Sequence, residues 1–261
     1  MKIKVLGCSG GVAAGHDSTC LLLGDELLVD AGTGARKLAP EEALRIKDIL
    51  VSHSHLDHIT SICFIADQDI EHRKEATRIH ALPETASALR RYVVNEIIWP
   101  EIEKVIINGV QMVEFHVLRA FETVDIRGYR ITPLPVRHAL PTLGFCFHGE
   151  NGSMVFISDM ISASDEVWAW INAQDDLRYF ITETAFPNRL EELARISKHL
   201  TPQMYADLCK DNLSPAKLKS VELYATHIKP LYNQQVLDEI KELESQGLKV
   251  KALEHDMEFD L

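Results

Sequence analysis

The run Ser52-His53-Ser54-His55-Leu56-Asp57-His58 sets three imidazoles and a carboxylate within six residues, directly after the apolar stretch Ile49-Leu50-Val51. Imidazole nitrogen and carboxylate oxygen suit zinc, manganese or iron(II), and the cluster lacks the thiolates of a closed structural zinc site. With a strand ending near Val51, His53 and His55 share a face, because side chains two apart in extended backbone point the same way. That pair can chelate one ion. Asp57 and His58 fall at the start of the following helix, turned away from the pair, and suit a second ion. A single histidine in a polar loop is usually just solvated, but this spacing after a buried strand points to metal chemistry.

Further motifs stand after apolar runs: Leu27-Leu28-Val29-Asp30-Ala31-Gly32, Val136-Arg137-His138, Val155-Phe156-Ile157-Ser158-Asp159 and Leu223-Tyr224-Ala225-Thr226-His227. In this order, and with the histidine run, they resemble the metallo-β-lactamase fold superfamily across nearly the whole chain. The resemblance implies that His53, His55 and His138 hold one metal and that Asp57, His58 and His227 hold another, with Asp159 bridging them. It puts Asp30 behind the ligands, where an outer carboxylate fixes the tautomer of a ligating imidazole. The implied cofactors are two divalent metal ions, zinc before manganese or iron. Such a pair makes hydroxide from a bridging water near neutral pH and offsets charge on a phosphoryl or acyl oxygen.

Three segments narrow the chemistry. His138-Ala139-Leu140-Pro141-Thr142-Leu143-Gly144-Phe145 looks like the His-x-x-Pro-Ser-x-Gly-Tyr stretch of the phosphodiesterase branch, which includes tRNA 3′-processing endonucleases. Thr182-Glu183-Thr184-Ala185-Phe186 resembles that branch's Glu-Ala-Thr-Phe segment, and Ser197-Lys198-His199-Leu200-Thr201 resembles its extra histidine before a helix. The resemblance implies a Glu183/His199 dyad on the leaving-group side, with His199 as proton donor, so that Asp57, His199 and Glu183 are the candidate catalytic residues. Proton donation of this kind is typically worth about 10² to 10⁴-fold in rate.

Within the branch the chain is most similar to the class II 3′,5′-cyclic-nucleotide phosphodiesterases. Gly7-Cys8-Ser9-Gly10-Gly11, the histidine run with Leu56 and Ile59, Asn95-Glu96-Ile97-Ile98-Trp99-Pro100 and Ala225-Thr226-His227-Ile228-Lys229-Pro230 carry that similarity. It departs after Ile59, where Cys63, Phe64 and Ala66 replace aliphatic pairs and a serine. The implied activity is hydrolysis of cyclic AMP or cyclic GMP to the nucleoside 5′-monophosphate by a metal-bridging hydroxide. The alternatives are a tRNA 3′-processing-type endonuclease and a hydrolase of another small phosphodiester.

Charge separates these readings. The formal net charge is −12, a poor match to a polyanionic RNA, whose binding rests on clustered Lys and Arg. The expected partner is therefore a small cyclic nucleotide and not nucleic acid.

The elements must carry ligands from distant parts of the chain to one edge. Apolar periodicity predicts strands near 2–7, 19–23, 26–30, 48–52, 78–82, 112–118, 129–136, 144–148, 153–158, 178–182 and 221–226. It predicts helices near 58–67, 83–97, 163–172, 188–198, 202–211 and 233–245, with Thr201-Pro202 a start signal and Gly247 a stop. Two runs of strands, each followed by helices, suit a sandwich of two sheets with helices outside, and the resemblance implies an α/β fold, the four-layer αββα sandwich of the metallo-β-lactamase fold, with 1–261 expected as a single domain.

No apolar stretch approaches the roughly 20 residues of a membrane span, and the first residues read as a strand, so a soluble cytoplasmic protein is expected. The five cysteines, Cys8, Cys20, Cys63, Cys146 and Cys209, are scattered, as in a reducing compartment. Residues Tyr92 to Val110 are rich in Val, Ile and Trp and read as a lid, a homodimer face or plain core. Arg137 and Lys229 neighbour ligands and are within chain reach of a phosphate. His16, His72, His80, His116, His148 and His255 have no motif around them and read as structural or surface groups, with His16, whose loop follows the glycine-rich turn, the first candidate for an exception.

Overall fold

The computed structural model describes residues 1–68 and 74–261, so His72 lies outside the described residues. Among them the strands form two large sheets. The first runs in the order Glu258–Asp260, Lys2–Gly7, Cys20–Leu23, Leu27–Val29, Asp48–Leu50, Thr77–Ala81, Val113–Val117, and its last four strands are mutually parallel. The second runs Ser162–Ala163, Tyr129–Arg137, Thr142–Gly149, Gly152–Phe156, Leu177–Glu183, Glu222–Thr226, Val250–Ala252, with the last four again parallel.

The layering follows from residue alternation. Leu21, Leu23, Leu27, Val29 and Leu50 of the first sheet meet Phe145, Phe147, Met154, Phe156 and Ile181 of the second in one buried cluster. Their neighbours face the other way. Leu22, Leu28 and Ile49 pack with Ile59, Ile62 and Leu89 of helices outside the first sheet, while Cys146, Val155 and Phe180 pack with Val167, Trp168 and Tyr205 outside the second. Strands apolar on both faces are what two buried faces require, and each fully buried Leu or Phe contributes about 1.5–3 kcal/mol. The result is the expected αββα order of layers.

Several helices end elsewhere than their periodicity suggests, each for a local reason. The expected helix 58–67 is two pieces, Leu56–Ile59 and Ile62–Asp67. The break falls where Ser61 donates its N–H to Ala31 O (2.7 Å) and its hydroxyl to Gly32 O (2.9 Å). The helix Pro83–Tyr92 stops short of 97 because Asn95 Oδ1 takes the N–H groups of Ile97 and Ile98 and closes a turn. Beyond it Ile102 is buried, whereas Ile97 (85%) and Ile98 (67%) stand exposed, so this segment is not plain core. The helix Pro215–Ser220 and the strands Val250–Ala252 and Glu258–Asp260 lie outside every expected element. No helix among the described residues is long and apolar enough to cross a membrane.

One ionic cluster ties the sheets together at the end opposite the histidine run. Asp48 is 0% exposed and accepts from Arg78 (2.8 and 2.6 Å), His80 (2.6 Å) and Arg127 (2.9 Å), the last from the turn that feeds Tyr129–Arg137 of the other sheet. Burial alone would raise the Asp48 pKa, but these donors outweigh it and hold the carboxyl below the usual range. Asp48→Asn strips the counter-charge from two guanidinium groups, and a loss of about 3 kcal/mol is expected, the low end for breaking a buried pair because both arginines are partly exposed. A depressed carboxyl pKa stabilises above its unfolded value near about 4 and loses that contribution as pH falls through the folded value. In urea melts the gap between wild type and Asp48→Asn is therefore constant above about pH 4 and narrows below it.

Candidate metal centre

All the predicted ligand residues sit at carboxyl ends of strands or in the loops after them, the edge where sheets with parallel strands open crevices. His53 follows Asp48–Leu50, His138 follows Tyr129–Arg137, Asp159 follows Gly152–Phe156, Glu183 ends Leu177–Glu183 and His227 follows Glu222–Thr226. The structure brings them together. His53 Nε2 lies 3.0 Å from His55 Nδ1, and His138 Nε2 lies 3.3 Å from the same nitrogen. Asp159 Oδ2 is 3.9 Å from His53 Nε2 and 3.7 Å from His138 Nε2. Its Oδ1 is 3.2 Å from His58 Nε2, and its Oδ2 is 3.4 Å from His227 Nε2. Asp57 Oδ2 stands 3.7 Å from His58 Nε2 and 3.8 Å from His227 Nε2. Asp159 thus lies between two groups of donors, His53/His55/His138 and Asp57/His58/His227.

Three of the outer nitrogens are already committed, which aims the inner ones. Asp30 is 0% exposed. It accepts from Ser52 N (2.8 Å), Ser52 Oγ (2.8 Å) and His58 Nδ1 (2.7 Å). Because the Ser52 hydroxyl gives its hydrogen to Asp30, its oxygen receives the Nδ1 proton of His53 at 2.9 Å. His138 Nδ1 donates to Lys198 O at 2.9 Å. His53, His58 and His138 therefore turn Nε2 inward, as ligating imidazoles with an outer partner do.

The backbone is held in costly shapes to achieve this. Asp30 (φ 55), Lys198 (φ 62) and His227 (φ 59) adopt the left-handed region, which costs a residue with a Cβ about 1–3 kcal/mol unless its surroundings impose it. Asp30 N is fixed to Leu50 O and His227 N to Cys8 O, both at 2.8 Å. Gly32 lets the histidine loop lie close, since a Cβ there would stand 2.2 Å from Asp57 O.

Burial first, and then the neighbouring imidazoles, push His53 well below the ordinary histidine pKa. Burial likewise lowers His55 and His138, and takes His227 down to about 3. His58 runs the other way, because Asp159 and Asp30 outweigh its burial. Asp159 is held far below the carboxylate range by His227 and His58 against its own burial. His58 Nε2, Asp159 Oδ1 and His227 Nδ1 are enclosed without a hydrogen-bond partner among the described residues. The lowered imidazoles of His53, His55, His138 and His227, the lowered carboxyls of Asp57 and Asp159 and donor atoms within 4.8 Å of one another in each group fit a divalent cation.

Glu183 and His199 stand beside this cluster. Glu183 is 0% exposed; it accepts from His199 Nδ1 (2.9 and 3.0 Å), Met160 N (2.7 Å) and Leu200 N (3.1 Å). With Nδ1 committed to Glu183, His199 is left with Nε2 as its free nitrogen. Burial works to discharge His199, but Glu183 and Asp159 together raise its pKa above the ordinary value. Its ring stacks on His227 at 5.3 Å and lies 5.0 Å from that of His138.

Some parts of the site carried no signal in residue spacing. Lys198 closes the helix Glu191–Ser197 in its left-handed turn, which sends His199 N–H to Ala194 O (2.8 Å) and presents the carbonyl to His138. Ser52 was visible in the motif, but its relay was not. Arg137 is exposed, whereas Lys229 is partly buried with Nζ on Gly10 O at 3.0 Å. Cys8 is buried, its thiol pushed up to about 12, and all five cysteines are free and buried.

A family described as Beta-lactamase superfamily domain matches residues 26–228. The chain is 23% identical to a Probable 3′,5′-cyclic-nucleotide phosphodiesterase of Yersinia pestis, over 97% of this chain and 87% of that protein. It is 24% identical to the Ribonuclease Z of Methanopyrus kandleri over 56% of this chain and 49% of that protein. A 60-residue stretch, 23% of this chain, is 40% identical to the uncharacterized protein MG423 of Mycoplasma genitalium, only 11% of whose length the chain spans. Among solved structures, unliganded yeast PDE1 superposes with a TM-score of 0.79 at 18% identity, covering 97% of both chains.

Asp30→Ala removes the group that aims both His58 and, through Ser52, His53. A loss of about 10–100-fold in affinity for zinc or manganese is expected, the usual cost of an outer partner, read by competition with a chromophoric chelator. Unchanged affinity would show that the loop holds its shape without the carboxylate.

Proposed function

Because the chain belongs to the beta-lactamase superfamily, we propose that it is a metal-dependent phosphodiesterase that hydrolyses 3′,5′-cyclic nucleotides to nucleoside 5′-monophosphates. The observation that carries the reading is the buried Glu183–His199 pair, 2.9 Å apart, set beside a cluster of imidazoles and carboxylates. A thioester hydrolase, which expels a thiolate, has less need of a proton donor, whereas expulsion of an alkoxide from phosphorus calls for one.

His53, His55 and His138 with Asp159 would hold one divalent cation, and Asp57, His58 and His227 with Asp159 another, zinc before manganese or iron. When bound, the cations supply Lewis acidity that activates water and neutralises phosphoryl charge. The protein's own part is orientation and proton transfer. Glu183 accepts the Nδ1–H of His199 and favours the charged form of the ring, so Nε2–H would be the proton given to the departing 3′ oxygen. Met160 N and Leu200 N hold Glu183 so that the ring has one direction.

The net charge of −12 favours a small cyclic phosphodiester over an RNA, since two local cations can meet one phosphate whatever the global field. The match to the Yersinia pestis protein over 97% of the chain supports the same choice. The second reading, an RNA-processing endonuclease, draws on the shorter match to Ribonuclease Z.

Metal-loaded protein should turn over cyclic AMP or cyclic GMP and leave precursor tRNA intact; cleavage of the tRNA alone overturns the reading. His199→Ala should lose about 10²–10⁴-fold on cyclic nucleotides but little on bis(p-nitrophenyl) phosphate, whose leaving group needs no proton. Equal losses on both would remove the acid role. Because Glu183 raises the His199 pKa, Glu183→Gln lowers it, and the alkaline limb of kcat/KM should move to lower pH.

A further inference from the structure

We infer that Lys229 is a positioning residue that clamps the glycine loop Gly7–Gly11 onto His227 and thereby sets the affinity of one metal position selectively. The inference rests on the proposed assignment of His227 to the Asp57/His58 set.

His227 occupies a left-handed turn (φ 59) that its own sequence does not favour, and the glycine loop acts as the mould that holds it there. His227 N donates to Cys8 O at 2.8 Å, Thr226 Oγ1 donates to the same carbonyl at 3.2 Å, and Gly10 N donates to Ile228 O at 3.0 Å. The loop lies flat against the ring. A Cβ on Gly10 would stand 2.3 Å from His227 O, 2.8 Å from its Cδ2 and 3.1 Å from Nε2, the nitrogen turned toward Asp57 and Asp159. Lys229, two residues on, closes the ring by donating Nζ–H to Gly10 O at 3.0 Å. Its own N–H is fixed to Ala185 O at 3.2 Å, and its ammonium lies 5.4 Å over the Phe186 ring.

The chemistry of Lys229 is otherwise hard to account for. Among the described residues no carboxylate lies within ion-pair distance of it, although the chain has 39 acidic residues. A fixed positive charge beside a cation site repels the cation. Electrostatics alone would therefore make removal of the ammonium tighten metal binding, whereas a clamp makes removal loosen it. The two roles predict opposite signs. The first donor set, His53, His55 and His138, is aimed by Ser52 and Lys198 O and does not touch the loop, so a clamp effect falls on one equivalent only.

The test is calorimetric titration of the metal-free full chain with zinc, repeated with manganese, for wild type, Lys229→Met, Lys229→Arg and Gly10→Ala. Wild type should take up two equivalents. Lys229→Met should weaken one of them by about 10–100-fold, the scale of an outer-partner loss, and leave the other unchanged, while Lys229→Arg restores most of the affinity. Gly10→Ala should weaken the same equivalent, and equal melting temperatures of the metal-free forms serve as the folding control for Lys229→Met. If both equivalents weaken alike, if neither changes, or if Lys229→Met binds more tightly, the inference is overturned while the paired-metal reading stands. Uptake of a single equivalent by wild type overturns both.

Discussion

The carboxylate of Asp30 is the point on which the site turns. It is 0% exposed, sits in a left-handed turn at the end of Leu27–Val29, and accepts three hydrogen bonds from the neighbouring strand's loop. Those donors come from Ser52 and His58, the two ends of the histidine run, so a seven-residue segment is gripped at both ends by one group. The grip is reinforced by backbone bonds from Ala31 N to His58 O and from Ser61 N to Ala31 O, both 2.7 Å. A carboxylate taken wholly out of water is tolerable only when its lone pairs are answered in this way. Once they are, His53 and His58 have no freedom left to turn outward.

The double sheet adds what the loop alone lacks. Asp30 and the histidine run belong to the first sheet, whereas His138, Asp159, Glu183 and His227 belong to the second. The apolar layer between them, with Phe145, Phe147 and Phe156 fully buried, sets how far apart the two groups of donors lie. At the site edge the sheets are stitched directly by Leu143 N donating to Ser52 O at 3.0 Å. At the far edge Arg127 reaches Asp48. Close packing transmits small shifts, so residues remote from the histidines act on their geometry.

What could be read from the sequence was what is local. The histidine run is short, and its consequence, an extended pair followed by a helix, needs only the two backbone periodicities. The strands that carry ligands were legible because they are apolar on both faces. Glu258–Asp260 was not, because its pattern of exposed acid, buried Phe and exposed acid is that of an edge strand. Helix Pro215–Ser220 is short, and four of its six residues are Lys, Ser or Pro, so it has little apolar face to show. The left-handed turns at Lys198 and His227 were invisible too, since neither residue prefers that shape and each is imposed by partners distant in the chain. For the same reason the contact of Lys229 with Gly10, 219 residues apart, had no sequence signal.

The electrostatics of the cluster explain why its geometry suits cations rather than being merely tolerated. Asp30, Asp159 and Glu183 are each no more than 1% exposed, and Asp57 joins them at the rim. Against these four carboxylates only His58 and His199 have their pKa values raised, while burial holds the other imidazoles neutral. With the Asp57 and Asp159 carboxyls held below their usual range and most of the imidazoles around them lowered, the balance of charge in the cluster leans negative. Glu183 is answered by two backbone N–H groups and one imidazole, and Asp30 by its three donors. Asp159 has no such set, and its Oδ1 is left without a hydrogen bond. The imbalance therefore settles on Asp159, between the two groups of inward nitrogens, which is where positive charge lowers the energy most.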